Sequence, residues 1–140
     1  MKGDRAFLDT NIIVYAYDIS NDEKHDKAVK IIEDLWASGL GVISTQVLQE
    51  FFFNVTKKIP HPLGVKAARD IIKDFLKWDV VVNNGDSVID AIEIHRKYKY
   101  SFWDSLIVTS AVRGSANFLL SEDFSNGQVI EGLTVRNPFK

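Results

Sequence analysis

Residues 5–17, RAFLDTNIIVYAY, predict a strand followed closely by a helix. The apolar residues 5–8 predict a short strand, and the stretch 11–17, which lacks glycine and proline, predicts that this strand passes directly into a helix. Asp9 lies at the junction, where the carboxyl end of a strand in an α/β sheet usually meets a ligand. Asp9 is therefore either a site residue or the N-cap of the helix, and its position alone does not separate the two roles.

The rest of the chain alternates between helical and strand patterns. Helices are predicted at residues 11–17, 28–36, 45–58, 65–76, 87–98 and 102–113, and strands at 5–8, 41–44, 80–82, 118–121, 129–130 and 134–135, the last two as edge strands. Strands separated by helices indicate an α/β fold with right-handed crossovers and a mainly parallel sheet. No linker, repeat or low-complexity segment interrupts the pattern, so we expect one domain over residues 1–140.

Composition limits the chemistry. The 140 residues are 46% hydrophobic, enough for one domain with its own core, and contain no cysteine, which excludes disulfides, thiolate catalysis and zinc–thiolate sites. The net charge of −2 supplies no global basic field for gathering phosphates, so any grip on nucleic acid must be local. The first residues, MKGDRAFLDTN, fit neither a signal peptide nor a membrane span. We therefore expect a soluble, cytoplasmic protein.

Glu50 lies inside the predicted helix 45–58, which would begin at the capping residue Thr45. A solvated glutamate is the ordinary case. The neighbouring Phe51 and Phe52 leave only a narrow polar face, however, and residues 46–56 contain no lysine or arginine to pair with the carboxylate. These surroundings favour a functional role for Glu50, because its carboxylate needs a partner that the local sequence does not supply.

Asp104 occurs in SFWDSLIV, residues 101–108, where Ser101 and Asp104 match the helix-capping pattern [ST]-x-x-[DE]. The same pattern occurs at Ser87 and Asp90, where we expect capping to be the role of Asp90. For Asp104 the two roles are partly compatible, because a carboxylate has two oxygens and one of them can cap while the other faces a metal.

Asp123 follows the predicted strand 118–121, in a stretch that continues to a turn-forming Asn-Gly pair. Taken alone, it is an ordinary turn acid. Its neighbour Glu122 offers a second carboxylate, and side-chain alternation sends the two in opposite directions if the strand extends that far. Only one of them can face the crevice.

Two strand ends and two helices thus each contribute an acid: Asp9, Glu50, Asp104 and Asp123. Two carboxylates about 4 Å apart repel by roughly 4 kcal/mol at an effective dielectric constant of about 20, so such a cluster must protonate, stay apart or bind cations. Oxygen ligands alone select hard ions such as Mg²⁺ or Mn²⁺. The three histidines show no paired ligand spacing, which weighs against zinc.

Four segments together resemble, in order, the pattern of PIN-domain ribonucleases, especially VapC-type toxins. They are FLDTNIIVYAYD at 7–18, TQVLQEFF at 45–52, SFWDSLIVTSA at 101–111 and FLLSEDF at 118–124. The resemblance implies a three-layer α/β/α PIN-like domain with a central, mainly parallel sheet, which hydrolyses RNA with one or two Mg²⁺ or Mn²⁺ ions. It also implies a cognate antitoxin protein as partner and a homodimer.

The resemblance assigns roles to individual residues. Asp9, Glu50 and Asp104 match acidic motif positions directly. The fourth acid is Glu122 or Asp123, because this segment is one acid shorter than in many relatives, and counting from its serine favours Asp123. Asp9 and Asp104 would ligate the main metal, with Glu50 and Asp123 binding a second ion or acting through water. Supporting polar groups near the metal would be Thr10, Asn11 and Ser121.

An acidic protein needs local contacts to hold RNA. Residues 96–100, RKYKY, interleave cations with aromatic rings, so Lys97 and Lys99 are candidates for phosphate contact. The alternative is that these cations favour the dipole at a helix C-terminus while Tyr98 packs in the core.

Two other functions remain open at this point. One is a non-catalytic PIN-like RNA-binding domain. The other is an Asp-nucleophile phosphotransferase of the haloacid-dehalogenase type, which wants a second acid where this chain has Asn11. A dinucleotide site is disfavoured, because the turn after the first strand has no glycine-rich sequence.

Overall fold

The computed structural model describes residues 3–140 of the chain. The strands are β1 (Ala6–Leu8), β2 (Gly41–Ser44), β3 (Asp79–Val81), β4 (Phe118–Leu120), β5 (Val129–Ile130) and β6 (Leu133–Arg136). The helices are α1 (Thr10–Tyr15), α2 (Asp22–Ser38), α3 (Thr45–Lys57), α4 (Val65–Phe75), α5 (Gly85–Tyr98) and α6 (Phe102–Arg113). The predicted alternation is confirmed, and the bounds of β2 and α6 are those expected from the sequence.

The strands form one sheet in the order β3-β2-β1-β4-β6-β5. Neighbouring strands are parallel except for the pair β5 and β6. The predicted edge position of residues 134–135 is wrong, because β6 pairs with β4 on one side and with β5 on the other. The chain reverses between β5 and β6 through Glu131 and Gly132, which both adopt positive φ, as a tight hairpin requires. Among the strands of residues 3–140, β3 and β5 form the two edges of the sheet.

The connections place helices on both faces of the sheet. The chain runs from β1 through β2 to β3 in one direction and then crosses back past β1 to β4. Right-handed crossovers in opposite directions put their helices on opposite faces. Accordingly, α1 contacts α2 and α3, α3 contacts α4, and α5 packs against α6. The direction changes between β1 and β4, and this leaves a crevice at their carboxyl ends.

The apolar core lies between the sheet and the two helical layers and includes the fully buried Phe7 of β1. At one end of β2, the rings of Trp36, Phe75 and Trp78 pack together with centroids 5.0 to 5.9 Å apart. Gly41 begins β2 beneath this cluster, and a Cβ there would overlap the Trp78 ring. Within residues 3–140, no helix combines the length and the apolar character needed to cross a membrane.

Two predicted helix caps are wrong by one to three residues. The N-cap of α3 is Ser44, whose hydroxyl accepts from a backbone amide of the first turn, rather than Thr45. The N-cap of α5 is Asn84, which forms a reciprocal capping box with Ser87. Because α5 begins two residues earlier than predicted, Ser87 lies inside the first turn and Asp90 is too far along to cap. Asp90 instead forms an ion pair with an arginine of α6.

Candidate active site

Asp9 directly follows β1 and is buried, with 6% of its surface exposed. The Thr10 backbone amide donates to its Oδ1 at 2.8 Å, and the Ser121 hydroxyl donates to its Oδ2 at 2.7 Å. Ser121 follows β4, and the pairing of β1 with β4 brings it beside Asp9. Asp9 is also the N-cap of α1, so the capping position and the position at the crevice coincide.

The environment of Asp9 favours its neutral form. Its pKa is raised from 3.8 to about 7, and burial is the largest cause. The hydrogen bonds from Ser121 and Thr10 lower the pKa, whereas the charges of Asp123 and Asp104 raise it further. A carboxyl group with a pKa near neutrality needs a nearby positive charge to stay fully ionised at physiological pH.

Glu50 lies on the face of α3 that looks towards Asp9. The Thr10 hydroxyl donates to Glu50 Oε1 at 2.6 Å. Thr10 therefore joins two of the predicted acids, Asp9 through its backbone amide and Glu50 through its side chain.

Asp104 is half-buried in the first turn of α6. Its backbone amide donates to the hydroxyl of the N-cap residue Ser101 at 3.1 Å, so this capping bond uses the backbone of Asp104 while its side chain lines the cleft. Burial raises the pKa of Asp104, and the charges of Asp123 and Glu50 raise it further against a lowering by Ser101. The carboxylates thus influence one another electrostatically.

The two neighbouring acids after β4 point in opposite directions. Glu122 accepts from the Tyr15 hydroxyl at 2.5 Å and from the Lys24 ammonium at 2.8 Å. Burial alone would raise the pKa of Glu122, but the bonds from Lys24 and Tyr15 hold it below its usual range. Asp123 is exposed and lines the cleft, and its amide donates to the Ser121 hydroxyl at 3.0 Å. Of the two alternatives, Asp123 is the one that faces the other acids.

The four predicted acids line one open cleft of about 450 Å³. Its lining among residues 3–140 includes no lysine, arginine or histidine. A donor set made of carboxylate oxygens fits Mg²⁺ or Mn²⁺ and disfavours softer metals. Within the same residues, no three acidic or histidine side chains lie close enough together to hold a metal ion. The donor chemistry thus fits a hard divalent cation, although the carboxylates stand too far apart for three of them to bind one ion.

Two of the predicted supporting residues, Thr10 and Asn11, line this cleft, and the third, Ser121, is buried and bonded to Asp9. Thr10 and Ser121 donate the hydrogen bonds to Glu50 and Asp9, and Asn11 lines the cleft beside them. These hydroxyl donors fix the orientation of the carboxylates, as groups surrounding a metal site commonly do.

Six further lining residues were missed from the sequence: Gln46, Gln49, Phe53 and Asn54 on α3, and Trp103 and Ile107 on α6. The signal was present, because residues 46, 49, 50, 53 and 54 follow the spacing of one helical face. Gln46 is buried, and its Nε2 donates to the Trp103 carbonyl at 3.2 Å, which ties α3 to the first turn of α6. Its Oε1 is buried without a hydrogen-bond donor among residues 3–140.

Lys97 and Lys99 do not line the cleft formed by the described residues. Lys97 forms an ion pair with Glu131 at 2.9 Å, and Lys99 adopts positive φ as the C-cap of α5. The Tyr98 ring stacks on Tyr100 with centroids 5.6 Å apart and packs against the core. The arrangement matches the alternative interpretation of this segment, and RNA contact by these lysines stays a prediction.

The family of this chain follows from its similarity to known proteins. Residues 6–125 match the family model of the PIN domain. The chain belongs to the PIN-domain family. The resemblance found in four sequence segments is thereby confirmed, as is an α/β fold with a mainly parallel sheet flanked by helices. No curated protein matches the sequence significantly.

Solved structures share the PIN fold over nearly the whole chain. The Mycobacterium tuberculosis toxin VapC20, described as cleaving the sarcin-ricin loop, is 21% identical, with a TM-score of 0.66 over 90% of this chain and 97% of that one. A toxin–antitoxin complex from Klebsiella pneumoniae gives 17% identity and a TM-score of 0.69 over 95% and 97% of the two chains. VapBC2 from Rickettsia felis, bound to promoter DNA, is 21% identical, with a TM-score of 0.64 over 94% of this chain and 97% of that one. At these identities the likeness concerns the fold.

Proposed function

We propose that this PIN-domain protein is a Mg²⁺- or Mn²⁺-dependent ribonuclease that hydrolyses RNA phosphodiester bonds. The observation that carries the proposal is that four acids from four separate segments line one cleft that no cationic side chain of residues 3–140 enters. Membership of the PIN family supports nuclease chemistry. The all-carboxylate donor set supports a hard divalent metal.

In this proposal, Asp9 and Asp104 hold the principal cation, while Glu50 and Asp123 hold a second ion or act through water. A divalent cation supplies a more acidic water and charge neutralisation at the phosphate. Ser121 contributes by holding Asp9 Oδ2, which leaves further lone pairs of that carboxylate for a ligand. The raised pKa of Asp9 is consistent with a site in which a bound cation would stabilise the ionised carboxylate.

The test is cleavage of total RNA with Mg²⁺, with Mn²⁺ and with chelator, comparing the parent with Asp104→Asn and mapping the cut ends. Loss of a ligand should slow cleavage by at least about 10- to 100-fold, since changes even beyond the direct ligands cost that much in metal sites. The matched control is Asp26→Asn, an exposed aspartate of α2 that should cleave like the parent. Activity that survives chelator, or an Asp104→Asn protein as fast as the parent, refutes the proposal. A parent that binds RNA without cutting it supports a non-catalytic domain instead.

We also propose that the protein is the toxin of a VapBC-type pair, acts in the cytoplasm and forms a homodimer. The described toxin–antitoxin complexes with the same fold support a protein partner. Exposed apolar side chains on α5, among them Val88, Ile89 and Ile92, offer surface for a protein contact. Co-expression with a candidate antitoxin, a small protein encoded beside this chain, should yield a complex in which RNA cleavage is suppressed, and sedimentation should show dimers. Two proteins that purify separately would contradict the pairing.

A further inference from the structure

Two large aromatic side chains stand exposed beside the acids of the cleft. Phe53 on α3 is 54% exposed and Trp103 on α6 is 62% exposed, and both line the cleft. Most exposed apolar side chains need no explanation, but neighbouring ones that line a cleft are a feature of binding sites.

Each aromatic residue adjoins a carboxylate. Phe53 lies three residues after Glu50 on the same face of α3, roughly 4.5 Å further along the helix axis. Trp103 immediately precedes Asp104 at the start of α6. The hydrogen bond from Gln46 to the Trp103 carbonyl fixes the first turn of α6 against α3. The spacing between the two aromatic positions is therefore set by the fold.

The charge of the cleft limits what these rings can bind. Its carboxylates repel phosphate groups, and no cation of residues 3–140 lines it, so a nucleic acid gains little there from its backbone. A nucleobase is neutral, stacks on aromatic rings and hydrogen-bonds to amides. Gln49 and Asn54 line the same wall and present amide donors and acceptors. A positive charge stands beside this wall, where the Lys58 ammonium lies 5.5 Å from the centroid of the Phe53 ring.

We propose that Phe53 and Trp103 form a nucleobase platform, on which bases of single-stranded RNA stack and so place the connecting backbone over the acids. Lys58 packs on the Phe53 ring and meets a phosphate outside the acidic zone. Bases inside a duplex are already stacked and paired, so the platform selects single-stranded segments. This inference rests on the proposed ribonuclease function and names the part of the substrate that the cleft recognises.

The test measures binding without cleavage. A short fluorescein-labelled single-stranded RNA of mixed sequence, and the same strand in a duplex, are titrated with protein in chelator, with fluorescence anisotropy as readout. Phe53→Leu and Trp103→Leu keep apolar bulk but remove the ring, whereas Phe53→Tyr and Trp103→Phe keep a ring. The matched control is Phe52→Leu, which changes an exposed phenylalanine of the same helix that does not line the cleft.

Each leucine variant should raise the Kd for single-stranded RNA roughly 5- to 150-fold, the range expected when one base loses its stacking partner. The ring-retaining variants and Phe52→Leu should stay close to the parent, and duplex RNA should bind weakly throughout. Leucine variants that bind like the parent, or a parent that binds duplex equally well, overturn the platform. Unchanged RNA binding accompanied by a loss of dimers in sedimentation would show that the two rings form a protein interface.

The outcome is separable from that of the proposed function. If the parent never cleaves RNA but its binding depends on both rings, the platform stands and the ribonuclease proposal fails. If cleavage requires metal and Asp104 but is indifferent to the leucine changes, the ribonuclease proposal stands and the platform fails.

Discussion

Asp9→Asn should make the metal-free protein more stable at neutral and alkaline pH. In the folded parent, Asp9 keeps its proton up to about pH 7, whereas in the unfolded chain it loses the proton near 3.8. Between these values the folded state binds more protons than the unfolded state, so the contribution of Asp9 to stability falls as the pH rises, and it levels off above about pH 7. Asparagine has no such proton to lose and can still accept from the Thr10 amide.

The size of the effect follows from the pKa. A rise of about 3 pH units at 1.36 kcal/mol each corresponds to about 4 kcal/mol of stability lost by the parent between about pH 4 and pH 8. This is a large part of the 5 to 15 kcal/mol that typically holds a domain together. The advantage of Asp9→Asn over the parent should therefore grow by up to about 4 kcal/mol across this range. Other acids are common to both proteins and largely cancel in the difference.

Urea denaturation in chelator at several pH values measures this difference, with Asp26→Asn as a control whose curve should follow that of the parent. Added Mg²⁺ should then stabilise the parent at pH 8 more than it stabilises Asp9→Asn, because the bound cation offsets the cost of the buried negative charge. If the unfolding free energies of the parent and Asp9→Asn run parallel from about pH 4 to pH 8, the reasoning about the buried carboxylate is wrong.

Two further changes probe the core and the site. Gly41→Ala should lower the unfolding free energy by about 1 to 3 kcal/mol, because the added Cβ overlaps the Trp78 ring. Gly85→Ala is the control, since the space around its added Cβ is open and its stability should stay close to that of the parent. Thermal melts that rank the two variants equally would contradict this reasoning. Ser121→Ala removes the hydroxyl that donates to Asp9 and lowers its pKa, so the pKa of Asp9 should rise further. The pH profile of metal-dependent cleavage should then shift to higher pH, and an unmoved profile would show that Asp9 does not limit the rate.

Much of the fold could be predicted because local patterns and tertiary structure agree. Strand β2 is bounded by a glycine and a helix-capping serine, and α6 begins at a serine cap and ends before a glycine, so their limits follow from short-range chemistry. Strand β6 could not be placed, since its position between β4 and β5 depends on long-range pairing. The cap of α3 was misplaced by one residue, because the adjacent Ser44 and Thr45 are both good capping residues.

The acids of the candidate site could be predicted from the sequence, whereas most of the residues around them could not. A carboxylate that follows a buried strand, such as Asp9, stands at the crevice whatever the details of packing. The choice between Glu122 and Asp123 required the structure, because it depends on Tyr15 and Lys24, which are distant in sequence from both. The exposed ring of Phe53 was missed because the sequence pattern of α3 is that of a helix with an apolar face in the core, and Phe53 fits that pattern.

The central place of β1 has a consequence for the backbone beneath the site. The Asp9 amide donates to the Leu120 carbonyl at 3.0 Å, so the backbone beneath the acids belongs to the hydrogen-bond ladder between β1 and β4. Amides in such central strands exchange with solvent only when the whole fold opens, whereas edges such as β3 and β5 open at lower cost. The floor of the cleft is thus its most persistent part. Local melting of the backbone beneath Asp9 would therefore require unfolding the centre of the sheet.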